Sequence, residues 1–280
     1  MLKKIILILF LFSCECCYSQ YSDFIFRGSA FLGEFMGKAV NFDSVILKDE
    51  ALLKEFKVKS VYYKDKRGRI DEIIKYENGK ITELSSFTTN ELVPAWNFFY
   101  SYYPNGLIRE VQESMFGEYN ELYKFAVIGD KYKSIELFGA NSKLKAELVF
   151  EYNEDPENKL LRTVKEDYWS KKKYKTQYNA LYNKENKITE INYKDLSDSS
   201  RNKTVSSYRF SSDSIFIQEK EYSAVYIIND NRINACLFFY EGKFSSKSTY
   251  YYKENNLVDY LLYEEKGKKP FKKEFEYVFE

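Results

Sequence analysis

Carboxylates and aromatic rings are the side chains of this sequence dense enough to do chemistry. Glu110, Glu113, Glu147 and Glu151 recur at close spacing in β-rich stretches, and one carboxyl as acid with a second as base or nucleophile is what glycoside hydrolysis needs. Trp96, Trp169 and the runs Phe98-Phe99-Tyr100, Tyr102-Tyr103 and Tyr250-Tyr251-Tyr252 offer flat surfaces for a sugar or a protein partner. The chain has no His, which removes Ser-His-Asp and Cys-His nucleophiles and His-containing zinc sites. Its glycines stand singly, without a Gly-x-Gly-x-x-Gly phosphate loop. Asn153-Glu154-Asp155 runs into Pro156 and lacks the alternate-position ligands of a calcium loop. No cofactor and no metal is expected. With 42 acidic and 43 basic residues, the carboxylates are expected as cross-strand partners of Lys and Arg, so the protein reads as non-catalytic.

The elements that must carry these side chains are announced by a repeated unit: a strand ending in aromatics, a turn, a Gly or Asn, a Lys, Arg or Leu, then an apolar residue. It occurs at Gly68-Arg69-Ile70, Gly79-Lys80-Ile81, Gly106-Leu107-Ile108, Asn158-Lys159-Leu160, Asn186-Lys187-Ile188, Asn231-Arg232-Ile233, Gly242-Lys243-Phe244 and Asn256-Leu257-Val258. Gly and Asn tolerate positive φ, so their recurrence between β-rich runs marks hairpin turns. The expected fold is all-β: an antiparallel hairpin array forming a broad, twisted, largely single-layer sheet. In Leu257 to Tyr263 both alternate faces are partly apolar, which points away from a sandwich with one polar face. One short amphipathic helix near Lys48 to Phe56 is expected to cap the sheet's terminal edge.

Met1-Leu2-Lys3-Lys4 followed by the apolar run Ile5 to Phe12 has the layout of a secretory signal, and the run is too short to span a bilayer. Cleavage after Ser19 is the preferred reading. Leu11-Phe12-Ser13-Cys14 resembles a bacterial lipobox, in which Cys14 would carry a lipid. Export to the periplasm, the outer membrane surface or the medium follows from either, with no transmembrane span in the mature protein. Beyond the signal region only Cys236 remains, so no internal disulfide is possible. Removing Lys3, Lys4 and Glu15 from 43 basic and 42 acidic residues leaves 41 of each. A neutral chain disfavours nucleic acid as a partner, and Lys171-Lys172-Lys173 reads as a solvated loop tip. The chain divides into a signal peptide (1–19), a lead-in segment with the short helix (20–57) and a hairpin repeat domain (58–280).

Tyr102-Tyr103-Pro104-Asn105-Gly106-Leu107-Ile108-Arg109-Glu110, preceded by Trp96 and Phe99, resembles the bacterial variant of the MORN repeat. The units Tyr62 to Ile73, Tyr76 to Leu84 and Tyr252 to Tyr260 resemble the Tyr-Asp (YD, RHS-type) repeats of exported bacterial proteins. The second Gly of a regular MORN repeat and the Asp after Tyr of a YD repeat are missing in most units. Both resemblances imply a hairpin array that serves as a scaffold or binding surface, and neither supplies catalytic residues. The expected function is an interaction scaffold at the cell envelope, with Trp96, Tyr100, Tyr102, Tyr103 and Trp169 as candidate contacts for a protein partner or an envelope glycan. The alternatives are a glycan-binding module or carbohydrate-active enzyme, and the toxin-associated, immunity-like role given to some MORN-variant proteins.

Overall fold

The computed structural model describes residues 50–279 apart from 66, 88–92, 130, 153–159, 169–173, 183–187, 197–199, 201–202, 212, 220 and 230–231. The expectations for the signal peptide, Cys14, Trp169 and Lys171 to Lys173 lie outside these residues. A short helix, α1 (Glu50–Glu55), leads into eighteen strands. These are β1 (Val58–Lys64), β2 (Ile70–Glu77), β3 (Lys80–Ser86), β4 (Trp96–Tyr102), β5 (Ile108–Met115), β6 (Glu118–Ile128), β7 (Lys131–Gly139), β8 (Leu144–Tyr152) and β9 (Leu160–Asp167). They continue as β10 (Tyr174–Tyr182), β11 (Ile188–Asp195), β12 (Lys203–Phe210), β13 (Ser214–Glu219), β14 (Tyr222–Asn229), β15 (Arg232–Tyr240), β16 (Lys243–Tyr252), β17 (Val258–Glu265) and β18 (Phe271–Phe279).

The turns follow from the residues that permit them. Asn78-Gly79 (φ 52° and 80°), Phe116-Gly117 (50° and 84°) and Glu241-Gly242 (49° and 71°) have the paired positive φ of a two-residue hairpin whose twist matches its strands. A longer design is used four times among the described residues. In Tyr103 to Leu107 the Gly106 amide donates to Tyr103 O at 2.9 Å and the Tyr103 amide to Leu107 O at 2.8 Å. The same pair of bonds closes Asp65–Arg69, Gly139–Lys143 and Lys253–Leu257, with Gly68, Ser142 and Asn256 at the positive-φ position. Each register shifts by a residue beside such a turn, for example between Ser101 and Tyr102.

Every strand pairs antiparallel with its neighbour in sequence, forming one continuous all-β meander as expected. The sequence did not show that the ends of this sheet meet. β1 pairs with β2 (Val61 opposite Ile74) and also with β18 (Val61 opposite Tyr277), so the ladder runs full circle and has no free edge. This corrects the role expected for the helix. There is no terminal edge for α1 to cover; instead its Leu53 is buried in the core, with Leu52 and Phe56 packed against it. We call the end of the ring at which α1 joins β1 the lower end. Strand direction alternates, so the turns after β2, β4, β6 and β16 also lie at this end, and those after β1, β5 and β17 lie at the upper end.

Closure makes the two faces unequal. Tyr63, Ile74, Phe98, Val111, Tyr123, Ile135, Leu148, Tyr178, Ile217 and Tyr226 point inward and are buried, and they belong to one contiguous core. The outer face carries ion pairs between adjacent strands: Lys75–Glu83 at 2.7 Å, Glu151–Arg162 at 2.6 Å, Lys175–Glu166 at 2.9 Å, and Lys64–Glu276 across the closing seam. Such exposed pairs contribute about 0–1 kcal/mol each; what they record is a wall facing water. An apolar inside and a charged outside reverse the polarity of a membrane-spanning barrel, whose outward face is apolar. No helix among the described residues is long and apolar enough to cross a membrane.

Candidate interaction site

β4 carries four of the five aromatic candidates, and the structure separates them. Tyr100 points inward and packs on the core, where burial first, then the neighbouring Tyr102 and Glu113, holds its hydroxyl well above the ordinary tyrosine range. Tyr102 and Tyr103 sit at the lower end, where their hydroxyls donate to Ile81 O and Phe125 O, each at 2.7 Å. Trp96 begins the strand at the upper end, roughly 20 Å away at the usual rise per residue. The four rings therefore do not form one surface.

At the lower end the tyrosines bind the repeats to each other. Tyr102 donates to Ile81 O, Tyr152 to Tyr132 O at 2.9 Å and Tyr252 to Ile233 O at 2.8 Å. In each case a Tyr near a strand end satisfies the second residue of the preceding strand. Lys80 and Lys131, one residue before two of those carbonyls, lie over the same rings at 5.1 and 5.0 Å, a cation–π geometry. Lys80 Nζ also donates to Gly106 O at 3.0 Å, and Asn105 Nδ2 to Gly129 O at 3.1 Å, lacing successive turns into a rim.

The upper end near β4–β6 is built differently. Trp96 is half-buried and lies opposite Met115, and the Phe116 amide donates to Ala95 O at 3.2 Å. Phe116 occupies the first central position of its turn at φ 50°, with its side chain 54 % exposed. A turn of this type favours Asn, Asp or Gly there, and a bulky residue in left-handed backbone costs roughly 1–2 kcal/mol. Val93, Met115 and Tyr119 are exposed beside it. A Cβ on Gly117 would stand 3.9 Å from Val93 Cγ1, so Val93 and the turn are in contact range. Phe116, Met115 and Tyr119 thus stand exposed at one hairpin tip, with Val93 near the turn and Trp96, opposite Met115, packed against the core.

Beneath this tip lies a polar cluster. Glu113 is buried and accepts from Asn120 Nδ2 at 2.7 Å. Glu121, directly opposite it in register, pairs with Lys145 Nζ at 2.8 Å and accepts from the Tyr123 hydroxyl at 2.9 Å. Lys145 reaches Glu121 by lying across Gly139, where a Cβ would come within 2.4 Å of Lys145 Cε. Burial first, then Glu121 and Glu113, pushes the Tyr123 hydroxyl far up, so it stays a neutral donor. Each carboxylate is thus held by fixed donors, an arrangement that anchors strands. Of the other carboxylates singled out, Glu151 is in its ion pair with Arg162 on the outer face, and Glu110 and Glu147 are half-buried. Among the described residues no group of three His, Cys, Asp or Glu could hold a metal ion.

Phe116, Val93, Met115 and Tyr119 escaped the sequence reading because Phe116-Gly117-Glu118 lacks the basic and apolar half of the repeat. The signal was present nonetheless: a Phe before a single Gly between two β-rich runs, where Asn or Asp is the usual choice.

No protein-family model matches the chain, and no curated protein does. Among solved structures it is similar to a porin-like protein from Bacteroides uniformis, at 10 % identity and TM-score 0.44, covering 80 % of this chain and 97 % of that one. It is also similar to the TcdB2-TccC3 structure without its hypervariable C-terminal region, at 9 % identity and TM-score 0.24, covering 71 % of this chain and 12 % of that one. A third, a protein of unknown function from Bacteroides fragilis, has 14 % identity and TM-score 0.16, covering 58 % of this chain and 94 % of that one.

Proposed function

We propose that this is a non-catalytic, exported protein of the bacterial cell envelope, in which a closed ring of β-hairpin repeats serves as scaffold and the upper end serves as interaction surface. The observation that carries the reading is Phe116, a large apolar ring held exposed on left-handed backbone, which local folding energetics alone would replace. Rigid aromatic anchors projecting from a fixed scaffold are the groups that dominate protein recognition. The basic-led N-terminus supports export, and the resemblance to MORN-variant and YD repeats supports a scaffold.

The test uses the mature chain, immobilised and exposed to envelope fractions and envelope glycans of its host. Phe116→Asn and Trp96→Ala are expected to abolish or strongly weaken capture, whereas Leu181→Ser, an exposed apolar side chain at the lower end, leaves it intact. Equal loss from both ends would contradict the assignment. Release of sugar by the mature protein, abolished by Glu113→Gln, would replace it with a carbohydrate-active enzyme.

A further inference from the structure

The upper end also carries a concentration of positive charge, in the turn from β17 to β18. Lys266, Lys268, Lys269, Lys272 and Lys273 fall within eight residues with no carboxylate between them, in a chain of 42 acidic and 43 basic residues. Backbone bonds hold this turn without help from the lysines: the Lys268 amide donates to Glu265 O at 3.0 Å and the Lys266 amide to Ser245 O at 2.9 Å, with Gly267 at φ 78°. Lys266, Lys268, Lys269 and Lys272 are exposed, and a Cβ on Gly267 would meet nothing within 4 Å. The tip therefore projects into open space.

The β1–β2 turn stands beside it. Lys273 Nζ lies 4.6 Å from the centre of the Tyr63 ring on β1, and its charge acts on Asp71 of β2. This second turn adds exposed Arg67, while its Asp65 is occupied by Arg69. Two of the five lysines have local partners, Lys268 in Glu265 at 2.7 Å and Lys272 in Glu274 at 3.1 Å. Lys266, Lys269 and Arg67 pair with no carboxylate among the described residues. Phe271 and Ile70, the first residues of β18 and β2, are exposed beside these charges.

We propose that this pair of turns docks the protein on an anionic phospholipid surface. Lysines near such a surface are drawn to its headgroups, and an apolar side chain among them enters the boundary between headgroups and acyl chains. The residue types suit a fluid layer of charge. Each Lys ammonium is a mobile point charge, whereas the Arg69 fork, which could fix one phosphate, is spent on Asp65. Exposed Phe271 gives lipid an apolar contact that a polysaccharide polyanion cannot use. The inference concerns turns separate from that of Phe116 and does not rest on what Phe116 binds.

The test is flotation of the unlipidated mature chain with vesicles of phosphatidylcholine containing about one third phosphatidylglycerol, against vesicles of phosphatidylcholine alone. Binding is expected to the anionic vesicles only, and should fall about tenfold or more when salt rises from about 0.05 to about 0.5 M. The triple variant Lys266→Gln, Lys268→Gln, Lys269→Gln should weaken it about tenfold or more and Phe271→Ser about threefold or more, each with the native far-ultraviolet strand signal. The triple variant Lys54→Gln, Lys57→Gln, Lys59→Gln, which removes as many exposed charges at the lower end, should leave binding unchanged. No binding to the anionic vesicles, equal binding to both kinds, or equal loss from the two triple variants would overturn the proposal. Tighter binding to duplex DNA or heparin through the same three lysines would make the surface a site for a dissolved polyanion and would overturn it as well.

Discussion

The two ends of the ring are made from the same hairpins and differ in what their side chains do. At the lower end the tyrosines spend their hydroxyls on backbone carbonyls and lysines cover two of their rings. Near β4–β6 at the upper end, Phe116, Val93, Met115 and Tyr119 are exposed, and the first of them sits on unfavourable backbone. Regular repeat units close turns at both ends, Gly79-Lys80-Ile81 and Gly106-Leu107-Ile108 at the lower and Gly68-Arg69-Ile70 and Gly242-Lys243-Phe244 at the upper; the Phe116-Gly117 turn, where the unit is broken, is the one proposed to bind.

Variants can break this comparison, beginning with the largest effect. Leu53→Ala removes a buried side chain at the lower end and should cost about 2–5 kcal/mol in denaturant unfolding; a cost below about 1 kcal/mol would show that α1 is not part of the core. Tyr152→Phe leaves the Tyr132 carbonyl without its hydroxyl donor and should cost about 1–2 kcal/mol, with no effect on partner capture. Phe116→Asn should act in the opposite direction, raising stability by about 0.5–1 kcal/mol while capture is lost. If it lowers stability and leaves capture intact, the contrast between the ends is mistaken.

The smallest effect is one of pH at the β1–β2 turn. The Arg69 guanidinium and the Arg69 and Arg67 amides bonded to the Asp65 carboxylate lower its pKa to about 2. A depressed folded pKa means that this contribution to stability is fully present above the ordinary Asp value near ~4 and is lost as pH falls through about 2. A carbon-detected titration should follow Asp65 to that low midpoint, and Asp65→Asn should flatten this part of the acid-stability profile. A midpoint near ~4 would show that the turn's bonds do not persist in solution.

Much of this fold was legible from turn chemistry. Asn78-Gly79 and Asn105-Gly106 announced hairpins, and both glycines have positive φ, 80° and 88°. Closure was not legible, because pairing of Val58–Lys64 with Glu274–Phe279 depends on tilt accumulated over all the intervening strands, which no local pattern encodes. The inward and outward faces were blurred for a related reason: one-residue register shifts such as that between Tyr251 and Tyr252 reset the alternation, leaving β17 apolar on both faces when read as one strand. Of the candidate site, Trp96 lies beside the exposed hairpin tip, whereas Tyr100, Tyr102 and Tyr103 were chosen for size and density, properties shared by rings that hold a sheet together.

Everything assigned to the ends rests on the ring being closed, since an open sheet would present two long edges for pairing. Tyr62 and Glu276 stand directly opposite each other across the β1–β18 seam, away from the buried face. The measurement is oxidation of the Tyr62→Cys, Glu276→Cys double variant of the mature chain, followed by mass mapping of the cross-link. The account predicts near-complete formation of an intramolecular disulfide at low protein concentration with the native strand signal unchanged. Free thiols at both positions, or cross-links only between separate molecules, would contradict it.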